Sequence, residues 1–167
     1  MNYTYRIMTI NINGIASATR HHLLEDFLRK HDVDIALLQE VTTENNITFK
    51  GYQTVINIGT SARGTAILSK VDLPLHRVER IPSGRGLVTY YGNMCTLNIY
   101  APSGTSNRAE KEAFFSTEIM KLIPHFPTEL IMAGDFDCVL SNSDCTRRRT
   151  SSRALERLIQ GLRLFHV

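Results

Sequence analysis

Two acids stand close together at the end of an apolar run, Leu130-Ile131-Met132-Ala133-Gly134-Asp135-Phe136-Asp137. Leu130 to Ala133 reads as a buried strand, because unbroken apolar runs suit strands covered on both faces, and the helical stretch ahead of it suggests a crossover connection. Asp135 and Asp137 then leave the strand at its exit, the edge where open α/β sheets bind ligands. Their spacing lets both point the same way once Gly134 turns the backbone. A solvated turn explains the same spacing, since Gly-Asp pairs are common turn formers. What favours chemistry is company: Asn11 with Asn13, Glu40 and Tyr100 also close apolar strands.

The elements that position these residues follow from hydrophobic period. Tyr5 to Asn11 reads as a strand, closing in Thr9-Ile10-Asn11-Ile12-Asn13-Gly14. Ser17 to His31 reads as a helix with Leu23, Leu24, Phe27 and Leu28 on one face and Glu25, Asp26, Arg29 and Lys30 on the other. His21, His22 and His31 fall on its polar parts and read as solvated. Ile35 to Leu38 is the next strand, followed at once by Gln39-Glu40. If the two strands are parallel, Asn11, Asn13 and Glu40 meet at one edge.

Further along, Tyr52 to Ile58 and Thr65 to Leu68 flank the glycine-bounded loop Gly59 to Gly64, which suits an antiparallel return. Leu87 to Tyr91 and Cys95 to Tyr100 flank Gly92-Asn93, a second turn signal, and Pro102 marks the end of that hairpin. The pairing is therefore mixed. Asn107 to Ile123 reads as a helix capped by Ser106 or Asn107, with Phe115, Ile119, Leu122 and Ile123 as its buried stripe. A last helix, Ser152 to Gly161, buries Leu155, Leu158, Ile159 and Leu162, and Leu164-Phe165-His166-Val167 looks like an incipient strand.

Composition sets the outer limits. A chain of 167 residues, 43% hydrophobic, reads as one globular domain over 1–167 with a substantial core. Its net charge of +3, from 19 basic and 16 acidic residues, permits a polyanionic partner without demanding one. Three cysteines, Cys95, Cys138 and Cys145, without paired metal spacing read as reduced thiols in an intracellular protein, which excludes a disulfide scaffold and a zinc site. The opening Met1-Asn2-Tyr3-Thr4-Tyr5-Arg6 has no signal-peptide core, and no apolar run is long enough to span a membrane.

Taken together, Thr-Ile-Asn-Ile-Asn-Gly, Leu-Leu-Gln-Glu, Arg63-Gly64-Thr65-Ala66-Ile67-Leu68, Asn-Ile-Tyr-Ala-Pro and Gly-Asp-Phe-Asp resemble the exonuclease, endonuclease and phosphatase superfamily, the DNase I-like fold. Within it they look most like the apurinic-type endonuclease domain of non-LTR retrotransposons, the long interspersed elements. The resemblance implies an α/β sandwich of two mixed sheets flanked by helices. It also implies a Mg²⁺-dependent endonuclease, with Mn²⁺ as substitute, that nicks one DNA strand to prime reverse transcription. Its partners would be DNA and the reverse transcriptase domain of the same polyprotein, and it would act in the nucleus. By the same resemblance Glu40 holds the metal, with Asn11 and Asn13 in the metal and phosphate environment. Tyr100 hydrogen-bonds the scissile phosphate, Asp135 holds or deprotonates the attacking water, and residue 137 orients phosphate or water.

Two departures stand out. Where the family pattern has Asn, this chain has Asp137, and an ionised carboxylate accepts hydrogen bonds and repels a phosphate oxygen where an amide would donate. Either Asp137 binds a cation, or it is protonated, or the site is impaired. The family also finishes its site with a later Asp and a Ser-Asp-His, to which neither Ser143-Asp144-Cys145 nor His166 corresponds. The expectation is a chain lacking its C-terminal strands, with an exposed sheet edge open to a second copy or a separate segment. Arg147-Arg148-Arg149 could contact the phosphate backbone, although a solvated loop is the plainer reading. Arg63, Arg85 and Arg108 are open to the same two readings. The alternatives to nicking are a catalytically incomplete remnant that binds nucleic acid or protein, and a phosphatase of the same fold.

Overall fold

In the computed structural model, which describes residues 4–42, 47–60, 63–104, 107–125, 129–139 and 151–164, the apolar stretch Ile35–Val41 forms β2 inside a four-stranded sheet. Its neighbours are β1 (Ile7–Asn11), parallel to it across the helix α1 (Ala18–Lys30), and β4 (Gly64–Lys70), antiparallel. β3 (Tyr52–Asn57) closes the order β1-β2-β4-β3 as the antiparallel partner of β4. The second sheet runs β5 (Leu75–Arg80), β6 (Gly86–Tyr91), β7 (Met94–Tyr100), β8 (Glu129–Asp135), with β7 and β8 parallel and the rest antiparallel. These are two mixed four-stranded sheets, as expected. Both belong to one compact unit, Met1–Tyr100 with Pro127–Asp135.

The side-chain period of two explains why β2 sits at the centre of that unit. Ala36 and Leu38 point to one face, where they pack with Leu24 and Leu28 of α1, Ala66 and Leu68. Ile35 and Leu37 point to the other and meet Val55, Ile67, Leu87, Tyr91 and Met94, the layer between the two sheets. A strand covered on both faces is apolar save where a buried polar group finds partners, and all of β2 except Glu40 is buried, Gln39 included.

A second compact unit takes Ala101–Phe126 and Phe136–Val167. It holds α2 (Arg108–Ala113), which passes into a wider π-helical stretch, Phe114–Ile119, and a 3₁₀ stretch, Met120–His125. Phe114, Phe115 and Ile119 are all fully buried there. Regular α winding would place Glu118 rather than Ile119 four residues after Phe114, and the wider turn puts the isoleucine inward. Phe115 stacks on Phe136 at 6.3 Å between ring centroids. α3 (Arg153–Gly161) starts from Ser152, whose hydroxyl accepts from the Leu155 N–H, while Glu112 accepts from the Ala154 N–H at 2.9 Å.

Several expectations are corrected. Helix 107–123 is three windings, and Asn107 precedes α2 without capping it, its amide donating to the Ser103 carbonyl instead. Leu23 and Phe27 are 65% and 46% exposed, because only Leu24 and Leu28 of α1 face the sheet. His21 is not simply solvated: Nε2–H donates to the Thr48 carbonyl and the ring stacks on Phe49 at 4.3 Å. β8 is an edge strand of intermediate exposure rather than a buried one. In α3, Leu155 and Leu158 are buried whereas Ile159 and Leu162 are half-buried. Cys95 is buried, which pushes its thiol up to about 12 and leaves it an inert core residue. Cys145 and His166 lie outside the described residues. No helix among the described residues is long and apolar enough to cross a membrane.

Gly134 does more than turn the chain. It pairs with Ile99 inside the β7–β8 ladder at φ +142°, and a Cβ there would lie 2.0 Å from the Ile99 carbonyl oxygen. Gly134→Ala is therefore expected to cost more than about 2 kcal/mol in urea unfolding, from backbone strain and overpacking combined. A change below 0.5 kcal/mol, the ordinary surface range, would refute the close approach.

Lys70 at the end of β4 bridges Asp32 at 2.6 Å and Asp34 at 2.7 Å. Its ammonium holds the Asp32 carboxyl below 3.8, and the two carboxylates raise Lys70 above its ordinary 10.5. The Asp32 contribution is complete above its unfolded pKa and is lost as pH falls through the folded one; the Lys70 contribution is lost as pH rises through its folded value. In melts across pH, Asp32→Asn should flatten the acid limb below pH about 4 and bring the alkaline loss to lower pH.

Candidate active site

Two buried amides fix how the sheets meet. Asn98 of β7, fully buried, donates from Nδ2 to the carbonyls of Leu38 and Ala66, both at 2.9 Å. Its Oδ1 accepts from Gln39 Nε2 at 2.7 Å, and Gln39 also reaches Thr9 Oγ1 at 3.0 Å. A buried amide left unpaired costs far more than a slipped methyl group, so these bonds set the register of β7 against β2 and β4. β1 and β2 run parallel with Asn11 opposite Gln39, and β7 and β8 run parallel with Tyr100 opposite Asp135. The locked register brings the exits of β1, β2 and β8 together.

Glu40 is carried on a bulge. The β2–β4 ladder pairs Gln39 with Thr65 and Val41 with Gly64, which leaves Glu40 as an extra residue at φ +60°. The pleat changes parity there. Gln39 points to the intersheet layer like Ile35 and Leu37, and Val41 joins the α1 side with Ala36 and Leu38. Glu40 belongs to neither core and its side chain is turned outward, a common use of bulges beside functional sites. The Gly14 N–H clamps the Glu40 carbonyl at 2.9 Å.

Asn11 joins the acids. Its Oδ1 accepts from the Asn13 N–H at 3.1 Å, which fixes the amide so that Nδ2 faces outward. Nδ2 then donates to Glu40 Oε1 at 2.9 Å and to Asp135 Oδ2 at 3.2 Å. Arg63, just before Gly64, places Nη1 on Glu40 Oε2 and on Asn13 Oδ1, the latter at 3.3 Å. Gly64 is required at that turn, since a Cβ would lie 2.1 Å from the Asn57 carbonyl. Arg20 of α1 ties down the carbonyls of Asn13 and Gly14. The donor set fits a hard divalent cation: two carboxylates converge with the Asn13 amide oxygen close by, and among the described residues the side chain lying against Glu40 Oε2 is itself a cation.

The remaining expected residues divide. Tyr100 stands beside Asp135 in register, half-buried, under the Arg85 guanidinium at 5.2 Å from its ring centroid. Asp137 lies in the second unit at φ +44°, where Lys111 Nζ meets Oδ2 at 3.0 Å and its backbone carbonyl at 2.6 Å, and the Gly104 N–H meets Oδ2 at 3.0 Å. Of the three possibilities for Asp137, cation binding has a partner in hand, and that cation is a lysine. Arg147, Arg148 and Arg149 lie outside the described residues.

Sequence reasoning missed Lys111, which sits in a polar helical stretch 26 positions from its partner. It also passed over the bridging role of Gln39 and Asn98. The available signal was an amide inside each of two otherwise apolar strands, since a buried amide has to find partners.

Residues 8–165 match the model of the Endonuclease/Exonuclease/phosphatase family. The chain is similar in structure to an AP endonuclease from Archaeoglobus fulgidus, at 19% identity and TM-score 0.71 over 95% of this chain and 70% of that one. It is also similar to a 3′ phosphatase from Neisseria bound to a product DNA hairpin, at 18% identity and TM-score 0.73 with the same coverage. TDP2 from C. elegans matches 84% of this chain at 20% identity and TM-score 0.61, and the chain spans 49% of it. At these identities the likeness is one of fold.

Replacing Asn98 by Leu is expected to cost about 2–3 kcal/mol in chemical denaturation, because the donors to two buried carbonyls are lost. Gln39→Leu added to Asn98→Leu should cost less than the sum of the two single changes, since one amide then no longer orphans the other. Strict additivity would show that the two amides act independently.

Proposed function

This chain belongs to the endonuclease/exonuclease/phosphatase family, and from that premise we propose that it hydrolyses phosphodiesters of DNA with a divalent cation, Mg²⁺ first and Mn²⁺ as substitute. The observation that carries this reading is the Asn11 amide shared between Glu40 and Asp135, which brings two carboxylates from different sheets to one strand-end edge. Glu40, with Asn13 beside it, would hold the cation. When bound, that ion polarises a phosphoryl oxygen and offsets charge developing at phosphorus. Asp135 orients the attacking water and accepts its proton. Asn11 keeps both acids at working distance, and the Tyr100 hydroxyl donates to a phosphate oxygen.

DNA as substrate draws support from the named activities of the AP endonuclease and of the DNA-bound phosphatase. Nicking of one strand to prime reverse transcription, beside a reverse transcriptase domain and in the nucleus, rests on the five sequence motifs. Two other readings have observations of their own. Asp137, ion-paired with Lys111 where the family pattern has an amide, favours a module that binds nucleic acid or protein without cutting it. The 3′ phosphatase among the similar structures favours a phosphomonoester substrate.

Nicking of supercoiled plasmid in Mg²⁺ tests these readings. Glu40→Gln and Asp135→Asn should each lower the rate by about 10²- to 10³-fold and Tyr100→Phe by about tenfold, and a chelator should abolish cutting. Nicking that survives both Glu40→Gln and the chelator would overturn the proposal. Turnover of a 3′-phosphorylated oligonucleotide without nicking would favour the phosphatase, and DNA retention without either activity the binding module.

A further inference from the structure

We propose that Arg63 is a built-in competitor for the metal position at Glu40, so that the divalent ion enters by displacing a guanidinium from the carboxylate it will occupy. The inference rests on the metal-dependent reading and adds to it a control over loading. Arg63 contacts both groups the cation needs on that side, Glu40 Oε2 and Asn13 Oδ1. Glu40 Oε1 is meanwhile engaged by Asn11, so Oε2 is the oxygen over which ion and guanidinium compete. The Glu40 side chain is only 17% exposed, whereas that of Arg63 is 47% exposed, so the carboxylate stays in place while the arginine is able to swing into solvent.

Electrostatics gives both states a reason to exist. Two carboxylates linked through one amide repel each other across a short gap. Arg63 neutralises that repulsion in the metal-free protein and keeps the donors preorganised. The cost falls on affinity, because the ion has to replace a charge-assisted donor, Arg63 Nη1, as well as water. Arg63 sits directly before Gly64, whose close packing on the Asn57 carbonyl pins the start of β4, so the competitor is tethered to the site it covers.

The test measures metal affinity without substrate. Wild-type protein, Arg63→Gln, Arg63→Lys and Glu40→Gln are titrated with Mn²⁺, free ion being followed by its paramagnetic resonance signal, and each is melted with and without the ion. Arg63→Gln is expected to bind Mn²⁺ roughly three- to tenfold tighter than wild type, with Arg63→Lys in between. Metal-free Arg63→Gln should melt below wild type and gain more from Mn²⁺. A merely structural arginine would give weaker binding on removal, so unchanged or weaker binding by Arg63→Gln overturns the proposal. Wild-type binding that disappears in Glu40→Gln preserves the metal-dependent reading whatever Arg63→Gln does. Absence of Mn²⁺ binding in both wild type and Arg63→Gln overturns the two together.

Discussion

The constraint on which the first unit depends is the need to satisfy two amides buried between its sheets. Apolar contact between sheets is non-directional and would tolerate sliding; Asn98 and Gln39 do not, because each displaced bond leaves a donor or carbonyl in a dry layer. Asn57 repeats the device at the other side of the sandwich, donating to the carbonyls of Ile81 and Gly86, both at 2.8 Å. Specificity of register comes from a few polar groups, and the area of contact comes from Ile35, Leu37, Ile67 and Leu87.

The strand-end acids meet through this register rather than through anything local to them. Asn11 and Asp135 are 124 positions apart in the chain and share a hydrogen bond. The two acids of Gly-Asp-Phe-Asp, by contrast, are neighbours in sequence with different surroundings. Asp135 ends a ladder and joins an amide, whereas Asp137 sits past the strand in a left-handed conformation and finds a lysine. Among the described residues, two pairs of neighbouring carboxylates have a cation beside them: Arg63 on Glu40 next to Asp135, and Lys70 between Asp32 and Asp34.

Much of this was legible in the chain. The run Ile35 to Leu38, the helix before it and the glycine-bounded hairpins carry their structure in local period and turn chemistry, which is why the parallel β1–β2 pair and both antiparallel returns could be read. The strand β5 could not, because Leu75-His76-Arg77-Val78-Glu79-Arg80 is an edge strand whose polar residues outnumber its apolar ones. The winding change at Phe114 was hidden for another reason: α and π turns differ by one residue in where Ile119 falls, and only the packing of the core selects between them. The partners of Asp137 and of Glu40 are long-range pairs. Nothing in the spacing of Lys111 or Arg63 announces them.

The bulge at Glu40 separates folding from chemistry at the level of the gene. Gln39 and Val41 already serve the two cores, and their partners Thr65 and Gly64 are consecutive, so losing one codon at position 40 would heal the ladder and leave every core residue in place. The carboxylate rides on a residue whose side chain neither core uses. A lineage released from selection on this site could shed it in a single step, and a gap at this position would be the trace it leaves.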